Sequence, residues 1–308
     1  MKISLIGNCQ IAGLEKCIKT LKPGIQVESL GAFALTERFG SKSALLDHLM
    51  GSSHVYFHDT DQEMLYGSSS ELRLGVPNAR EIPFVTFNGF HPDMVYVTLN
   101  VNGNHQILKS PVGDNHSALV LFAHQQGLSA QQALKLFCPS VYQRTGLTQV
   151  WDNAMQSLRT QESRTSCPLT KLAIQWSRRG SFMHTLNHPK IFVLADLARW
   201  LLQDANIDFT DVPVEDLVID DLMTSTIWPV YLGLSDSLGV RGSFRFKKEM
   251  ETSFLDLPEF IEQSFAIYAR HPMQDIACWL TNIWSTDEGI RSHMMSIVGE
   301  SANAIEKS

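Results

Sequence analysis

Residues 3–10 read Ile3-Ser4-Leu5-Ile6-Gly7-Asn8-Cys9-Gln10, an apolar run that ends in small and polar residues. Residues 2–6 have the pattern of a buried β-strand, and Gly7 and Asn8 tolerate a tight turn. Apolar residues then recur at helical spacing, at Ile11, Leu14, Ile18 and Leu21. The sequence therefore predicts a strand, a turn and a helix, with Cys9 at or just before the helix N-terminus.

The position of Cys9 predicts an environment that favours negative charge. Unpaired N–H groups and the positive end of the helix dipole stabilise anions, so we expect a lowered thiol pKa and donors for an oxyanion or phosphate. Three interpretations stay open, namely a nucleophile, an anion-binding turn and an inert packing residue. The remaining cysteines lack polar neighbours of this kind and are expected to pack in the interior: Cys17, Cys138, Cys167 and Cys278.

Composition narrows the class of protein. The chain has 308 residues, a formal net charge of -7 and five scattered cysteines without a C-x-x-C pair. The acidic balance argues against nucleic-acid binding, and the cysteine pattern predicts reduced thiols and no metal site. No apolar run approaches the roughly 18 residues of a membrane span, and the N-terminus lacks signal-peptide features. We expect a cytoplasmic protein that does not span a membrane.

Further strands are predicted at 25–30, 53–59 and 81–87, with a short helix at 43–50. The β-α-β order predicts a mostly parallel sheet, whose strands end along one edge. Polar residues follow three of these strands, at Asn8-Cys9-Gln10, His58-Asp59 and Asn88 to Asp93. We expect these clusters to meet at that edge.

The later part of the chain is mainly helical. Asn102-Gly103 predicts a hairpin within 94–106, and Ser129 opens a capping box. Further helices are expected at 116–124, 150–158, 191–203 and 258–284. The predicted fold is α/β, with a sheet region at 1–114 and a mainly helical region at 115–308 packed on it as one integrated unit. The acidic segment 208–221 is expected to be a solvated connection.

His188 is the first candidate for a general base. Pro189 fixes the backbone before the helix at 191–203, so Asn187 and His188 are expected to project from a rigid loop. A hydrogen-bonded structural histidine is the alternative. Other candidate bases lie beside the predicted sheet edge, at His58, His91 and His116.

Two further polar groups have more than one interpretation. Asp93 could orient an imidazole in an activated nucleophile system, or it could cap the following segment. Ser117 is a second candidate nucleophile beside His116, but adjacent helical residues point about 100° apart, so the two are not expected to pair. Asp114 or Asn115 is expected to cap the helix that follows.

Basic residues are candidates for phosphate binding. Arg178, Arg179 and Lys109 are the proposed contacts, and the guanidinium groups of the two arginines can grip phosphates through paired hydrogen bonds. The denser run at 241–248 is expected to be solvated surface charge. The absence of G-x-x-x-x-G-K-[ST] and of G-x-G-x-x-G after the first strand weakens NTPase and dehydrogenase interpretations.

Several motifs together resemble one family. Gly7-Asn8-Cys9-Gln10, the segment Asn88 to Asp93, His116-Ser117-Ala118 and the segment Phe182 to Pro189 look like the WcbI family of polysaccharide biosynthesis enzymes. Trp228 to Tyr231 and Leu238-Gly239 also resemble the family's later segment. The opening is similar to SGNH-type esterases too, with cysteine in place of serine, although their C-terminal Asp-x-x-His is not evident.

The resemblance implies a coenzyme A-binding protein of capsule or surface-glycan assembly that transfers an acetyl group from acetyl-CoA to a sugar hydroxyl. The predicted function is an acyl-CoA-dependent O-acyltransferase, with a non-catalytic CoA- or glycan-binding protein and a glycan esterase as alternatives. Expected partners are acyl-CoA, a carbohydrate acceptor and other polysaccharide-assembly proteins. The predicted catalytic residues are Cys9, His188 and Asp93. Oxyanion or substrate contacts are assigned to Asn8, Gln10, Asn88, His91, His116, Ser117 and Asn187. Cofactor contacts are assigned to Gly7, Arg178, Arg179 and Lys109.

Overall fold

The computed structural model describes residues 1–59 and 64–299. The strands are, in chain order, β1 (Lys2–Gly7), β2 (Gln26–Gly31), β3 (His54–His58), β4 (Ala79–Ile82), β5 (Met94–Tyr96), β6 (Thr98–Val101), β7 (Asn104–Ile107), β8 (Asn115–Ser117), β9 (Phe246–Lys247), β10 (Phe254–Leu255) and β11 (Ile276–Ala277). The helices are α1 (Gln10–Leu21), α2 (Leu35–Phe39), α3 (Lys42–Met50), α4 (Ser69–Gly75), α5 (Ala118–Gln125), α6 (Ala130–Leu134), α7 (Pro139–Arg144), α8 (Val150–Thr165), α9 (Leu169–Ser177), α10 (Ile191–Asp204), α11 (Val214–Leu217), α12 (Ser235–Leu238), α13 (Leu257–Tyr268), α14 (Trp279–Thr286) and α15 (Glu288–Gly299).

The chain forms two compact units that alternate along the sequence. The first unit contains Met1–Phe87, Met155–Met183 and Asn187–Met223. The second contains Asn88–Ala154, His184–Leu186 and the residues from Thr224 onward. The predicted regions 1–114 and 115–308 divide the chain by secondary-structure content, whereas these units divide it by contacts.

The first unit is built on a four-stranded parallel sheet in the order β2-β1-β3-β4. The predicted α/β class, with an N-terminal parallel sheet followed by a helical C-terminal part, is confirmed. β1 is central and apolar, so its side chains are buried on both faces of the sheet. Its last residue, Gly7, lies opposite Gly31 of β2, and Ile6 lies opposite Phe57 of β3. The turn after β1 and His58 at the end of β3 therefore share one edge.

Helix α1 covers this sheet with one apolar face. Ile11, Leu14, Ile18 and Leu21 are all buried, as their spacing predicts. The helix packs against α10, and Gly13 permits the close approach, since a Cβ at that position would lie 2.5 Å from Cδ1 of Leu194. The position of Cys9 just before a helix is thereby confirmed.

The fourth strand differs from the prediction. A strand was expected over 81–87, but β4 ends at Ile82 and residues 83–88 are irregular. Pro83 has no N–H group and cannot continue the hydrogen-bond ladder. The backbone of Val85 is paired instead with a side chain, that of Gln10.

The second unit contains the predicted hairpin and several helices. Strands β6 and β7 pair antiparallel around Asn102-Gly103, both of which have positive φ, as this turn requires. The capping box of Ser129 is present. The predicted helix over 258–284 is interrupted, because α13 ends at Tyr268 and Pro272 follows before α14.

Two expectations about polar segments need correction. Ser117, rather than Asp114 or Asn115, caps α5, and its Oγ accepts from the N–H of Val120. Lys247, within the run expected to be solvated, is buried. Its Nζ donates to the carbonyls of Thr224, Ser225 and Lys248, which compensate the loss of water.

Candidate functional site

The turn Gly7-Asn8-Cys9-Gln10, called the thiol turn below, lies against the imidazole of His58. A Cβ built on Gly7 would come within 2.3 Å of Nδ1 of His58 and 2.9 Å of Cγ2 of Ile11. Glycine is therefore required by space at this position, because any side chain would collide with two buried neighbours. This crowding fixes the backbone that leads into Cys9.

Asn8 precedes the N-cap residue of α1, and its side chain bonds to the first residue of the helix. Its Oδ1 accepts a hydrogen bond from the backbone N–H of Gln10 at 3.2 Å, and its carbonyl accepts from Ile11 at 3.2 Å. An asparagine oxygen satisfies one of the unpaired donors of a helix N-terminus in this way. The side chain of Asn8 thus sets the direction in which the thiol turn enters the helix.

Cys9 occupies the N-cap position with helical backbone angles, and its side chain is exposed. The thiol lies 3.9 Å from Oδ1 of Asn8 and can donate a weak hydrogen bond to it. Partial burial among neighbouring atoms raises the pKa of the Cys9 thiol, with a smaller opposing effect from a backbone hydrogen bond. The expected lowering of this pKa is wrong in direction.

Gln10 is buried and fully engaged. Its Nε2 donates to the carbonyl of Val85 and to the carbonyl of Asn187, both at 2.8 Å, and its Oε1 accepts from the N–H of Val85 at 3.2 Å. A glutamine amide carries two N–H donors, and both are used here. Gln10 therefore has no side-chain donor left for the substrate contact predicted for it.

Asn187, His188 and Pro189, called the Asn-His-Pro segment below, belong to the same unit as the thiol turn. Asn187 and His188 are half-buried, and Pro189 forms an antiparallel bridge with Met183. The N–H of Lys190 donates to the carbonyl of Phe182 at 2.9 Å, and α10 begins at the next residue. The segment is therefore anchored at its C-terminal side by backbone pairing and at Asn187 by Gln10.

His58 is a second histidine close to the thiol turn. Its side chain is buried, its ring lies 5.4 Å from that of Phe84, and its Nδ1 has no hydrogen-bond partner among the described residues. Burial lowers the pKa of His58 to about 4. The imidazole is therefore neutral at physiological pH, packed beneath the turn.

Asp93, a predicted catalytic residue, lies in the second unit. Its buried carboxylate accepts a hydrogen bond from Oγ of Ser117, and its carbonyl accepts from the N–H of Ala118. Burial raises the pKa of Asp93 to about 6, against the opposing effect of hydrogen bonds from Ser117 and Tyr231. Among the described residues no imidazole hydrogen-bonds to this carboxylate. The structure thus favours a capping and hydroxyl-binding role for Asp93 over the orientation of a histidine.

The other predicted residues of the second unit lie in turns and in its core. Asn88 is exposed, and its carbonyl accepts from the N–H of His91. The buried ring of His91 has Nδ1 3.3 Å from the carbonyl of Pro229. His116 is buried between the hydroxyl of Tyr268 and the carbonyl of Leu108, at 2.8 Å from each, and does not pair with Ser117, as predicted.

The predicted phosphate-binding residues differ in availability. Arg178 is exposed at the end of α9 and forms no ion pair within residues 1–59 and 64–299. Arg179 pairs with Glu215 at 3.0 Å and lies 4.0 Å above the ring of Phe192. Lys109 pairs with Asp114 at 2.6 Å. Of the three, Arg178 has the guanidinium most available to an anion.

The acidic segment 208–221 is tied to basic residues. Asp211 pairs with Arg199, Glu215 with Arg179 and Asp221 with Lys16. No group of three or more potential metal ligands occurs among the described residues. These carboxylates therefore act as ion-pair partners within the first unit. The sequence had predicted a solvated connection here but not these ion pairs.

The sequence of residues 2–210 matches the family model described as polysaccharide biosynthesis enzyme WcbI. The chain belongs to the WcbI family. A solved structure described as WcbI, a novel polysaccharide biosynthesis enzyme, in its native form without a disulfide bond between CoA and a cysteine of that protein, has the same fold. It aligns with a TM-score of 0.69 and 16% sequence identity, over 96% of this chain and 98% of that one. None of the curated proteins matches this WcbI-family chain in sequence.

Membership of the WcbI family confirms the resemblance inferred from the short motifs and identifies the chain as part of a family of polysaccharide biosynthesis enzymes. No helix within the described part of the chain has the length and apolar character needed to cross a membrane.

Two side-chain contacts, one in each unit, could not be assigned from the sequence. Tyr231, inside the Trp-Pro-Val-Tyr motif, faces the carboxylate of Asp93, although nothing in the motif indicates this contact. The role of Gln10 depends on Val85 and Asn187, which are 75 and 177 positions away. The position of His58 at the end of a buried strand was the sequence signal that could indicate its place beside Gly7.

Proposed function

We propose that this WcbI-family protein is an acyl-CoA-dependent O-acyltransferase, and that it transfers an acetyl group to a precursor of a surface or capsular polysaccharide. The observation that carries the proposal is the hydrogen bond from Gln10 to the carbonyl of Asn187. Cys9 directly precedes Gln10 and His188 directly follows Asn187, so this partly buried bond joins the neighbours of the exposed thiol and of the imidazole. The related structure is described as lacking a disulfide bond between CoA and a cysteine, and this mention of CoA for that protein supports the choice of donor.

The proposed reaction needs a base and an oxyanion site. His188 accepts the proton of the sugar hydroxyl while that oxygen attacks the carbonyl carbon of the thioester. The tetrahedral oxyanion is stabilised by the backbone N–H of Cys9 and by the side-chain N–H groups of Asn8. When the intermediate collapses, the carbon–sulfur bond breaks, the CoA thiolate leaves, and His188 returns the proton to it.

The state of Cys9 bears on the choice between two routes. Because burial raises its pKa, the thiol is mainly protonated at neutral pH. A covalent route would therefore require His188 to remove the proton from Cys9 before the thiol attacks the thioester. In direct transfer, Cys9 lies beside the acyl carbonyl and is not acylated, and the raised pKa favours this second route.

Arg178 is the proposed contact for the phosphates of acyl-CoA. Its side chain is exposed, whereas Arg179 and Lys109 are engaged by Glu215 and Asp114. A guanidinium without a carboxylate partner keeps its paired N–H groups for a phosphate. The protein is proposed to act in the cytoplasm, with acyl-CoA, the carbohydrate acceptor and other polysaccharide-assembly proteins as partners.

The test combines acetyl transfer with mass spectrometry of Cys9. The purified protein is incubated with acetyl-CoA and glycan acceptors, and acetylated glycan, free CoA and acetyl-Cys9 are measured. We expect transfer that is lost in His188→Ala and reduced in Cys9→Ala, with Cys138→Ala as the matched cysteine control. CoA binding without turnover on any acceptor would indicate a binding protein, and acetate release from acetylated glycan without CoA would indicate an esterase.

A further inference from the structure

The side chain of Gln10 connects the thiol turn to two distant segments of the first unit. We infer that Gln10 is a positioning residue, which holds the Asn-His-Pro segment and the segment 83–87 in fixed register with Cys9. The inference rests on the proposed function only for its effect on turnover. Its effect on the two segments can be measured independently of any reaction.

The hydrogen bonds of Gln10 leave one orientation for its amide. Nε2 faces two carbonyl oxygens, those of Val85 and Asn187, and Oε1 faces the N–H of Val85. Rotation of the amide by 180° would place Oε1 against both carbonyls and would lose all three hydrogen bonds. Since the side chain is 1% exposed, water cannot replace them. The contact is therefore specific for glutamine at this position.

Both connected segments contain a proline, which limits their own backbone pairing. Pro83 and Pro189 lack N–H groups and cannot donate to a neighbouring strand. The amide of Gln10 bonds to the N–H and the carbonyl of Val85 in the manner of a strand neighbour, and bonds to Asn187 in addition. One side chain thus sets the spacing between Cys9 and the residue before His188.

Two substitutions separate the parts of this contact. Gln10→Glu keeps an acceptor for Val85 but removes both donors and directs a carboxylate at two carbonyl oxygens. Gln10→Met keeps the approximate volume and removes all three hydrogen bonds. Gln175→Glu, on the exposed face of α9 in the same unit, is the matched control.

We expect hydrogen exchange of the amides at 84–87 and 187–191 to accelerate about tenfold or more in both Gln10 variants and to be unchanged in the control. For acetyl transfer, kcat should fall roughly 10- to 100-fold while KM for acetyl-CoA stays within about twofold, because a small displacement of the base affects the reacting geometry. The loss of kcat in Gln10→Glu should become smaller at lower pH, since protonation of the introduced carboxyl restores one donor. A purely structural contribution would lower the melting temperature without this pH-dependent recovery of kcat.

Hydrogen exchange and kcat of the Gln10 variants together decide whether the inference holds. Faster exchange in both segments together with a selective loss of kcat supports the inference. Unchanged exchange in either Gln10 variant overturns it, as does faster exchange with normal kcat in an active enzyme. If the wild-type protein shows no acetyl transfer at all, the proposed function fails, while the exchange measurement still decides whether Gln10 positions the two segments.

Discussion

The imidazole of His58 lies directly against the backbone of Gly7, so that a Cβ on Gly7 would be 2.3 Å from Nδ1 of His58. We expect Gly7→Ala to displace the thiol turn and to lower the free energy of unfolding by about 1–3 kcal/mol, the usual cost of overpacking. Gly31→Ala is the matched control, because Gly31 pairs with Gly7 in the sheet and has open space around its Cα. Urea denaturation measures both, and equal effects would contradict the steric explanation.

The buried imidazole of His58 predicts sensitivity to acid. Burial lowers the pKa of His58 to about 4, below the 6.5 of an exposed histidine. The folded protein therefore binds this proton less readily than the unfolded chain. The contribution of His58 to the free energy of unfolding is therefore fully present above pH 6.5 and is lost as the pH falls through 4. The total loss is about 3 kcal/mol.

We therefore expect His58→Gln to flatten the dependence of the unfolding free energy on pH between about 7 and 4. His105→Gln, on the exposed hairpin of the second unit, should leave the curve as in the wild type. Denaturation midpoints across this range give the comparison. A curve for His58→Gln that is parallel to the wild type would show that His58 does not carry the effect.

Asp93 predicts a pH dependence of opposite sign. Burial raises the pKa of Asp93 to about 6 from its ordinary 3.8, so the folded state binds this proton more tightly. The associated stability is full below pH 3.8 and is lost as the pH rises through 6. Relative to the wild type, Asp93→Asn should therefore gain about 3 kcal/mol in unfolding free energy between pH 4 and pH 8. A difference that does not vary with pH would contradict this assignment.

The hydroxyl of Ser117 is expected to stabilise the second unit more than an ordinary helix cap. It donates to the buried carboxylate of Asp93 and accepts from the N–H of Val120. Ser117→Ala should cost about 2–4 kcal/mol, because it removes the cap and one of the two side-chain hydroxyls, those of Ser117 and Tyr231, that donate to a buried carboxylate. Ser129→Ala, which removes only the cap of α6, should cost about 1 kcal/mol. Similar losses in the two variants, measured by chemical denaturation, would argue against a special contribution from Asp93.

Cys9 should be the most reactive thiol of the native protein. It is the exposed cysteine, whereas Cys17, Cys167 and Cys278 are buried and Cys138 is half-buried. Alkylation by iodoacetamide, followed by peptide mass spectrometry, should modify Cys9 first. Because its pKa is raised, the rate should keep increasing above about pH 8.5. A plateau below pH 8 would show that the helix N-terminus outweighs the effect of burial.

Local patterns were sufficient to predict much of the fold. Alternation and spacing around Gly7 and Ile11 indicated the first strand and helix, because both elements follow short sequence periods. The strand predicted to continue to Phe87 was wrong beyond Ile82, although Pro83 was a visible signal for a strand end. The apolar character of Val85 reflects burial beside Gln10, and burial alone does not distinguish a strand from an irregular segment.

The chemical roles within the site were harder to predict, because they depend on contacts between distant positions. Gln10 looked like a substrate donor beside Cys9, but its amide is used by Val85 and Asn187. The pKa of Cys9 was expected to fall through the helix dipole, whereas burial has the larger effect. The residues next to Cys9 in the sequence indicate the helix dipole, but they contain no information about how deeply the thiol is buried.

The early end of β4 also protects the sheet against self-association. An exposed outer strand with free N–H and carbonyl groups is a template for pairing with another molecule. In this sheet one of the two outer strands, β4, stops after four residues, and Pro83 removes the next donor. The charged side chain of Arg80 in this strand, which pairs with Asp204, is 62% exposed. Beyond Pro83, the N–H and carbonyl of Val85 are already bonded to Gln10. The same residues that shape the candidate site should therefore keep the protein from aggregating through the β4 edge of its sheet.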